Sequence, residues 1–548
     1  MDKTWKNILL IFLFSIFLST LLFINPLYRG HDTTFHVANI LAIEELIEEG
    51  KPFSLIIPNV ASNLGYGTRI FYPPLAHSLT AGISLFFSCT TSFKIVHFLT
   101  IFLAGISMYF LAQKFLSSKY LALFSSLFYI SMPYFLSDIY IRCALAESFL
   151  FIFIPLILLG LIYLLEGNIK KFYPLFVIGY VGGMLSHLTM MVYGTVLFGM
   201  FLLIYSKTFF KKDKFIPFIK ACFVILFCTL FFLTPLVIHK LFGDYAVFQD
   251  GYMARNIYYA SLNIFDFNPF QTLENSSVQY YFSAVVTILL VFTYCFRNRI
   301  HFPKYTKGLL IFGLVSFITS SVLFPWNSLP YSFQIIQFPW RMLTFLVVIV
   351  SLFAPLSLSV IKKSRIVDTL IIIGLLVGSN LSIHFSWDVL IDFDNIAWVD
   401  GMGWGYEYLP TSTISNLSYF ENRRKNEIII LEESDAVISI LENDVPNLTF
   451  SVSSLEDEVL LELPRIFYFG YRLIHENGTI LELYENENGF LETKIKDDGI
   501  YTLTYAGFPI SRTISFVSCL LFSGFYIYMH LKSKNVVGFF LTNTKQKL

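Results

Sequence analysis

The chain has 548 residues, of which 55% are hydrophobic and 18% aromatic, and its mean hydropathy is +0.65. A water-soluble globular protein cannot bury this much apolar surface, and a net charge of zero gives no basic surface for nucleic acid. Apolar runs of about twenty residues recur instead, which indicates helices that cross a bilayer. The scattered cysteines contain no CxxC pair and predict neither a disulfide framework nor a metal site.

The first apolar run follows Lys3 and Lys6 and is predicted to remain as a span. It is longer than the apolar core of a signal peptide, and it lacks a small-residue cleavage site before Asn25. The apolar segments lie, in chain order, at 8–27, 73–88, 93–112, 120–135, 147–165, 173–186, 188–205, 215–238, 279–296, 307–324, 341–361, 366–383 and 512–531.

Segment 73–88 is the weakest of these spans, because it is short, opens with two prolines and carries His77. Clusters of Lys and Arg mark cytoplasmic loops. If every segment crossed the bilayer, loop 28–72 and the basic loop Lys114–Lys119 would lie on the same side. Taking 73–88 as a juxtamembrane or re-entrant helix removes this conflict and predicts about 12 spans, with both termini in the cytoplasm.

This topology gathers the polar motifs on the outer face, and no charge falls in the middle of a predicted span. In chain order they are "GHDTTFH" with His31, Asp32 and His36, "GYGTRIFYPPL" with Tyr72, "SDIYIRCALAES" with Asp138, Arg142 and Glu147, "LSHL" with His187, and "FPWNSLPYSFQIIQFPWR" with Gln337 and Arg341. Polar residues that converge beside apolar segments predict an outward-facing site with a groove for lipid.

Each of these signals also has a purely structural interpretation. Asp32 precedes a helical pattern and is a natural N-cap. Arg142 and Glu147 are close enough in sequence to pair only with each other. Arg341 follows an interfacial tryptophan and would anchor a helix end at the lipid headgroups. An outward-facing arginine is nevertheless contrary to the positive-inside rule, which favours a functional role for Arg341.

Residues 386–510 differ from the rest of the chain because they are acidic and lack long apolar runs. Short alternating segments broken by "NG" and "DDG" predict antiparallel strands in a small β-sandwich-like domain outside the membrane. The motif "WGYEYLP" lies at its membrane-proximal start, so Glu407 would lean over the outer site or simply pack at the surface. The domain would act as a lid or spacer, or bind a glycan acceptor.

Six motifs in this order, "GHDTTFH", "GYGTRIFYPPL", "IRCALAE", "LSHL", "QFPWRM" and "EYLP", resemble a bacterial family of membrane proteins. The family is labelled 6-pyruvoyl-tetrahydropterin-synthase-related and is close to the YfhO-like proteins, although nothing in the chain resembles the soluble pterin synthase. These proteins are similar to GT-C glycosyltransferases, which take a sugar from a polyprenyl phosphate on the outer leaflet.

The resemblance implies the residues of an active site. It places the catalytic carboxylate at Asp32 and a second catalytic acidic position at Glu147. An acceptor hydroxyl must lose its proton as it attacks the sugar, and this predicts that Asp32 is the general base of an inverting transfer. The substrate-binding candidates are His31, His36, Tyr72, Arg142, His187, Gln337, Arg341 and Glu407. No metal and no cofactor is predicted, because "CALAES" lacks the dense acidic cluster of metal-dependent oligosaccharyltransferases. The implied partners are a polyprenyl-phosphate-linked sugar donor, an envelope glycan acceptor and the lipid bilayer.

The predicted fold class is a mainly α polytopic membrane protein, a GT-C-like helical bundle with a small extracytoplasmic β-rich domain. Its body covers 1–385, with juxtamembrane helices in the first outer loop, 28–92, and 511–548 form the last span and a cytoplasmic tail. A lipid or polysaccharide transporter would also be polytopic, but it would show inverted repeats and polar or broken helices near the membrane midplane. A non-enzymatic envelope-assembly protein would keep the fold without needing Asp32.

Overall fold

The computed structural model describes residues 3–24, 30–252, 282–361, 364–384, 402–403, 406–454 and 458–544. The helices are α1 (Lys3–Ile24), α2 (Thr33–Glu48), α3 (Thr68–Phe71), α4 (Leu75–Ser84), α5 (Cys89–Leu116), α6 (Lys119–Ile130), α7 (Pro133–Tyr140), α8 (Leu145–Ser148), α9 (Leu150–Leu165), α10 (Ile169–Ser186), α11 (Leu188–Ile204), α12 (Ser206–Phe209), α13 (Lys212–Phe242), α14 (Ala284–Cys295), α15 (Thr306–Ser320), α16 (Leu343–Phe353), α17 (Arg365–His384), α18 (Thr411–Ser415), α19 (Leu417–Asn422) and α20 (Pro509–Thr544).

Every predicted span overlaps a helix, because a chain in lipid must satisfy its backbone hydrogen bonds internally. Within the described residues, six helical segments are long and apolar enough to cross a bilayer, where consecutive helices such as α8 and α9 count as one segment. The bent pair α6 and α7 would make a seventh. Helices α11, α14 and α15 are apolar but shorter. The predicted class of a multi-pass helical membrane protein is confirmed, whereas the count of about 12 crossings stays a prediction.

Segment 73–88 contains only α4, a helix of 10 residues. At about 1.5 Å per residue, this helix spans roughly half of a hydrocarbon core that is about 30 Å thick. Helix α4 packs against α2 and α5. The first loop therefore carries a layer of short helices that lies against the bundle and positions the polar motifs.

Helices α9 and α10 pack with their backbones close together. A Cβ atom at Gly160 would lie 3.0 Å from the backbone nitrogen of Phe176, and one at Gly182 would overlap the ring of Phe153. Small residues at such contacts let membrane helices approach each other. This approach fixes the end of α10, where the chain turns at His187 into α11.

The C-terminal region contains two antiparallel sheets. Their strands are β1 (Ile429–Ile430), β2 (Val437–Glu442), β3 (Leu448–Ser453), β4 (Val459–Ile466), β5 (Tyr471–His475), β6 (Ile480–Leu481), β7 (Tyr484–Glu485), β8 (Phe490–Ile495) and β9 (Gly499–Tyr505). One sheet has the order β1-β4-β8-β7 and the other β2-β3-β9-β5-β6. Leu448, Phe450 and Val452 of β3 are buried while the residues between them are not, which is the alternation that predicts a strand with one buried face.

The β region sits on the first loop and on the end of α13. The ring of Tyr468 stacks on that of Tyr245 with centroids 5.7 Å apart. The backbone N–H of Ile466 donates to the carbonyl of Leu64 at 3.1 Å. The first loop and the β region therefore lie at the same end of the helical body.

The basic loops lie at the opposite end. Lys114 in the last turn of α5 forms an ion pair with Glu166, which follows α9, at 2.6 Å. Asn7 near the N-terminus donates to the carbonyl of Lys119 at 2.8 Å. The N-terminus and the loops that carry Lys114 and Lys119 thus lie together, away from the polar motifs, and the side of the membrane that each end faces stays a prediction.

Candidate active site

Glu147 is the centre of a buried ionic cluster. Its Oε2 accepts hydrogen bonds from Arg142 Nη1 at 2.7 Å and from Arg341 Nε at 3.1 Å, and its Oε1 accepts one from the Tyr134 hydroxyl at 2.7 Å. The residue is only 1% exposed. Because three donors hold this carboxylate, it acts as a fixed anion that orients both arginines.

Arg142 also binds Asp138, through the same nitrogen that binds Glu147, and Asp138 is not among the site residues predicted from the sequence. Arg142 Nη1 donates to Asp138 Oδ1 at 2.7 Å, and Asp138 is fully buried. Within the part of the chain that the structure describes, Asp138 Oδ2 has no hydrogen-bond partner. Arg142 lies just beyond the end of α7, and its spacing of four residues from Asp138 is the signal that could have identified this pair.

Asp32 lies at the mouth of the cluster. Its Oδ2 is 3.7 Å from Arg142 Nη2, and its side chain is 40% exposed whereas that of Arg142 is 5% exposed. Asp32 occupies the N-cap position of α2, but its side chain makes no capping hydrogen bond. The carboxylate therefore faces Arg142 and solvent, and the structure does not support capping as its role.

Backbone hydrogen bonds hold Asp32 directly against the "IRCALAE" motif. Its N–H donates to the carbonyl of Arg142 at 2.8 Å, and the N–H of His31 donates to the carbonyl of Ile141 at 3.2 Å. Gly30 allows this contact, because a Cβ atom there would lie 2.7 Å from Cys143 Sγ. The glycine of "GHDTTFH" is thus required by the close approach of the two outer loops. His31 itself is exposed to solvent.

Two non-glycine residues beside the arginines adopt left-handed backbone conformations. Cys143, which follows Arg142, has φ +52°, and Gln337, one turn before Arg341, has φ +58°. Such conformations cost about 1–3 kcal/mol each and persist where the surrounding structure imposes them. Their position beside both arginines indicates that the guanidinium groups are held in place at a cost to stability.

Arg341 is less compensated by negative charge than Arg142. Its Nη1 donates to two neutral acceptors, the Ile336 carbonyl at 3.3 Å and Gln337 Oε1 at 3.1 Å. Glu147 is the one carboxylate that forms an ion pair with it among the described residues, whereas Arg142 faces Asp32, Asp138 and Glu147. The guanidinium of Arg341 is therefore the better candidate for binding an added anion.

A second group of aromatic and imidazole rings adjoins the cluster. Tyr72 stacks on His77 with ring centroids 5.1 Å apart, and His77 Nε2 lies 2.7 Å from His36 Nδ1. Burial, and then the negative charge of Asp32, raises the pKa of the Tyr72 hydroxyl, so the phenol is protonated at neutral pH. The pairing of His77 with His36 was missed, because in the sequence His77 serves only as evidence against a span.

Both histidines of this pair are neutral at physiological pH. Burial, followed by electrostatic interactions with His97, Arg142 and His187, lowers the pKa of His36 to about 3. Burial also holds the pKa of His77 well below its usual range. His36 is only 1% exposed. The structure thus places it beneath the site, where it supports Tyr72.

His187 contributes a hydrogen-bond donor and no charge. Its Nδ1 accepts from the backbone N–H of Met190 at 3.4 Å, so the ring proton is on Nε2. Burial and the charge of Arg341 lower its pKa to about 3, although Glu147 opposes this shift. The electrostatic contacts with both residues place the ring next to the cluster.

A family model described as a 6-pyruvoyl-tetrahydropterin synthase related domain of membrane proteins matches residues 70–386, more than half of the 548-residue chain. The chain belongs to this family. In this pterin-synthase-related protein the matched region contains Tyr72, Arg142, Glu147 and Arg341, while Asp32 precedes it. No curated protein matches the chain significantly.

Solved structures give more distant likenesses. ArnT from Cupriavidus metallidurans bound to undecaprenyl phosphate is 12% identical with a TM-score of 0.39, over 68% of this chain and 62% of that one. Archaeal oligosaccharyltransferase AglB from Archaeoglobus fulgidus, in complex with an inhibitory peptide and a dolichol-phosphate, is 13% identical with a TM-score of 0.43, over 71% and 56%. The apo form of the Archaeoglobus fulgidus oligosaccharyltransferase is 14% identical with a TM-score of 0.44, over 76% and 59%. This chain spans less than two thirds of the length of each of these chains.

Glu407 belongs to a segment that covers the first loop of this family member. The ring of Tyr408 stacks on that of Phe71 with centroids 5.2 Å apart, and a Cβ atom at Gly403 would lie 3.6 Å from the ring of Phe35. The Tyr66 hydroxyl donates to the carbonyl of Met402 at 2.7 Å. Glu407 is half-buried in this segment, and its carbonyl accepts from the backbone N–H of Val247 at 2.9 Å.

The carboxylates of the site are bound to arginine. Among the residues that the structure describes, no group of three or more His, Cys, Asp or Glu side chains is arranged to hold a metal ion. The arrangement offers instead one accessible carboxylate, Asp32, one partly compensated cation, Arg341, and neutral donors from Tyr72 and His187. These groups suit the binding of an anion beside a hydroxyl that loses a proton.

Proposed function

We propose that this protein is a GT-C type glycosyltransferase, which moves a sugar from a polyprenyl-phosphate donor to an envelope glycan or polymer. The observation that carries this proposal is the accessible carboxylate of Asp32, 3.7 Å from Arg142, in a cluster whose Glu147 also binds Arg341. The class of donor is the one that the resemblance of the sequence motifs implies, and the ArnT and AglB structures are bound to undecaprenyl phosphate and a dolichol-phosphate.

In this mechanism Arg341 binds the phosphate of the donor. The sugar–phosphate bond breaks with its electron pair left on a phosphate oxygen, and a fixed guanidinium stabilises that charge. Glu147 and Gln337 hold Arg341 in place, so little reorganisation is needed when the charge develops. The neutral Nε2–H of His187 provides a further donor beside it.

Asp32 acts as the general base in this scheme. The acceptor hydroxyl oxygen attacks the anomeric carbon from the face opposite the phosphate, and its proton passes to the Asp32 carboxylate, so the configuration inverts. A positioned base typically contributes a factor of about 10² to 10⁴. The 40% exposure of the Asp32 side chain gives a water-soluble acceptor access to it. Arg142, bound by Asp138 and Glu147, is a positioning residue for this carboxylate.

The site is proposed to face the outside of the cell. The polar cluster, the first loop and the β region share one end of the body, and the basic loops at the other end belong in the cytoplasm by the positive-inside rule. This orientation puts both termini in the cytoplasm and the β region outside the membrane. The β region would then receive or cover the acceptor.

The test is complementation of a deletion strain followed by mass spectrometry of its envelope glycans. Wild-type protein should restore a glycan that Asp32→Asn does not restore, at equal amounts of inserted protein. Glu48→Gln is the matched control, because Glu48 is an exposed carboxylate on the same helix, α2. Full restoration by Asp32→Asn would show that the protein needs no base at this position and would favour an assembly role.

A further inference from the structure

A large cavity lies between the first loop, α13, α20 and the base of the β region. Its volume is about 840 Å³. It is lined by Ile47 of α2, Leu75 of α4, Phe232 of α13, Phe516 of α20 and Tyr505 of the β region. A cavity of this size and apolar lining is within the range of ligand-binding pockets, about 300–1,000 Å³.

The cavity is separate from the ionic cluster. Asp32, Arg142, Glu147 and Arg341 are not among its lining residues. Helices α2 and α4 divide the two, because α4 turns His77 toward His36 in the site whereas its Leu75 and Ser78 face the cavity. The two sites therefore share a wall but no lining residue.

Two arginines at the cavity have no carboxylate partner within ion-pair distance among the described residues. Arg69 Nη1 donates to the carbonyls of Pro52 at 2.9 Å and Ser54 at 2.6 Å, while its buried Nε has no hydrogen-bond partner there. Burial lowers the pKa of Arg69 to about 10, so it stays cationic at neutral pH. Arg512 is exposed and lies over the ring of Phe53 at 5.0 Å.

Lys51, the third cation at the cavity, differs from the two arginines because carboxylates compensate its charge. It forms ion pairs with Glu49 at 3.2 Å and with Asp444. Arg69 and Arg512 are therefore the two cations at the cavity whose charge no carboxylate among the described residues compensates. They lie at the end of the body where the positive-inside rule does not place arginine.

We propose that this cavity binds an anionic phospholipid of the bilayer, with a hydrocarbon chain in the apolar space and the phosphate between Arg69 and Arg512. Guanidinium groups bind phosphate oxygens in a planar, two-pronged arrangement that lysine does not offer. Helices α13 and α20 both have the length and composition of membrane spans, so the wall of the cavity belongs to segments that contact lipid.

This lipid would join parts of the protein that are distant in sequence. Its surroundings include Pro446 and Tyr505 of the β region, α20, and the helices α2 and α4 that also form the site. The lipid is a structural ligand with its own cations, distinct from the donor whose phosphate Arg341 is proposed to bind. The inference stands on the cavity and its arginines and does not need the proposed activity.

Native mass spectrometry of the detergent-purified, delipidated protein tests this site. Phosphatidylglycerol added to wild-type protein should be retained, and phosphatidylcholine should be retained much less. Arg69→Gln and Arg512→Gln should each weaken retention roughly tenfold, the usual effect of losing one charged hydrogen bond. Arg297→Gln is the matched control, because Arg297 also lies over an aromatic ring, that of Tyr294 at 4.4 Å, but away from the cavity.

A second variant tests the apolar part without touching the charges. Ser78→Phe points a large side chain into the cavity and should displace the lipid while gel-filtration behaviour stays normal. Equal retention of both lipids, or no change in the arginine variants, overturns the proposal. Competition with undecaprenyl phosphate decides the source, because displacement at similar concentration would make the cavity part of the donor path and remove the separate site.

Discussion

Glu147 and Arg341 are 194 positions apart in sequence and meet through a hydrogen bond of 3.1 Å between Arg341 Nε and Glu147 Oε2. The same oxygen accepts from Arg142 Nη1 at 2.7 Å. This shared oxygen joins the "IRCALAE" motif to the "QFPWRM" motif that precedes α16. The two arginines of the site therefore bind the same carboxylate oxygen, and replacing one should change the interaction of the other with Glu147.

Replacing Arg341 should abolish most of the transfer activity. Arg341→Ala removes the proposed phosphate contact, which typically costs on the order of 3 kcal/mol or a hundredfold in rate. Arg341→Lys should recover little, since lysine lacks the planar fork that binds both Glu147 and phosphate. The rate is measured in membranes with a lipid-linked sugar. Arg299→Lys serves as control, and near-wild-type turnover in Arg341→Ala would exclude the residue from catalysis.

A double-mutant cycle should show that Glu147 and Arg341 stabilise one another. Glu147→Gln leaves Arg341 without its ion-pair partner, and breaking a buried pair in this way costs about 3–5 kcal/mol. The coupling energy from Glu147→Gln, Arg341→Gln and the double variant should be about 1–3 kcal/mol, measured by thermal unfolding in detergent at one scan rate.

The ion pair of Lys114 and Glu166 is the matched comparison for this cycle. Its two atoms are 2.6 Å apart, but both side chains are about a third exposed, at 28% and 30%. Solvent screening limits such pairs to about 0–1 kcal/mol. Equal coupling energies for the two pairs would show that burial adds nothing to the Glu147 cluster.

Stability should fall as the pH drops below neutrality, and the histidine pair should contribute to this loss. The pKa of His36 is lowered from 6.5 to about 3 by burial. The unfolded chain therefore binds more protons than the folded one between these values. Stability from this group is complete above about pH 6.5 and declines by up to about 1.4 kcal/mol per pH unit toward pH 3.

The measurement compares melting temperatures at pH 7 and pH 5. Wild-type protein should lose more on acidification than His36→Gln, in which the group no longer titrates. His301→Gln is the control, since His301 is exposed at the basic end of the body. A pH dependence that is the same in all three proteins would contradict the assignment of a neutral, buried pair.

A cysteine introduced at His31 should react with a membrane-impermeant maleimide added to intact cells. His31 is exposed beside the site, whereas His36 is buried and would not report its side of the membrane. The free cysteines of the chain include exposed Cys295 and Cys519, so they are first replaced by serine. A cysteine at His301, in a basic loop, should stay unlabelled. Labelling of position 301 without position 31 would invert the proposed topology.

The sequence by itself determined the class of the protein and the positions of its elements. Apolar runs predict helices because lipid offers no partner for backbone polar groups, so each helix is specified by its own segment. The strands could be predicted for a similarly local reason. Asn477–Gly478 and "DDG" at 497–499 each lie at the end of a strand, since glycine adopts the left-handed conformations of tight turns.

The tertiary structure alone decided how the candidate residues meet. Sequence spacing allowed Asp32 to be a cap or a base, and only the fold turns its carboxylate to Arg142 instead of to the start of α2. Asp138, His77 and Arg69 stand in motifs that were noticed, yet their roles depend on burial and on partners. Burial and charge compensation arise when distant segments pack together, and no local pattern of residues records them.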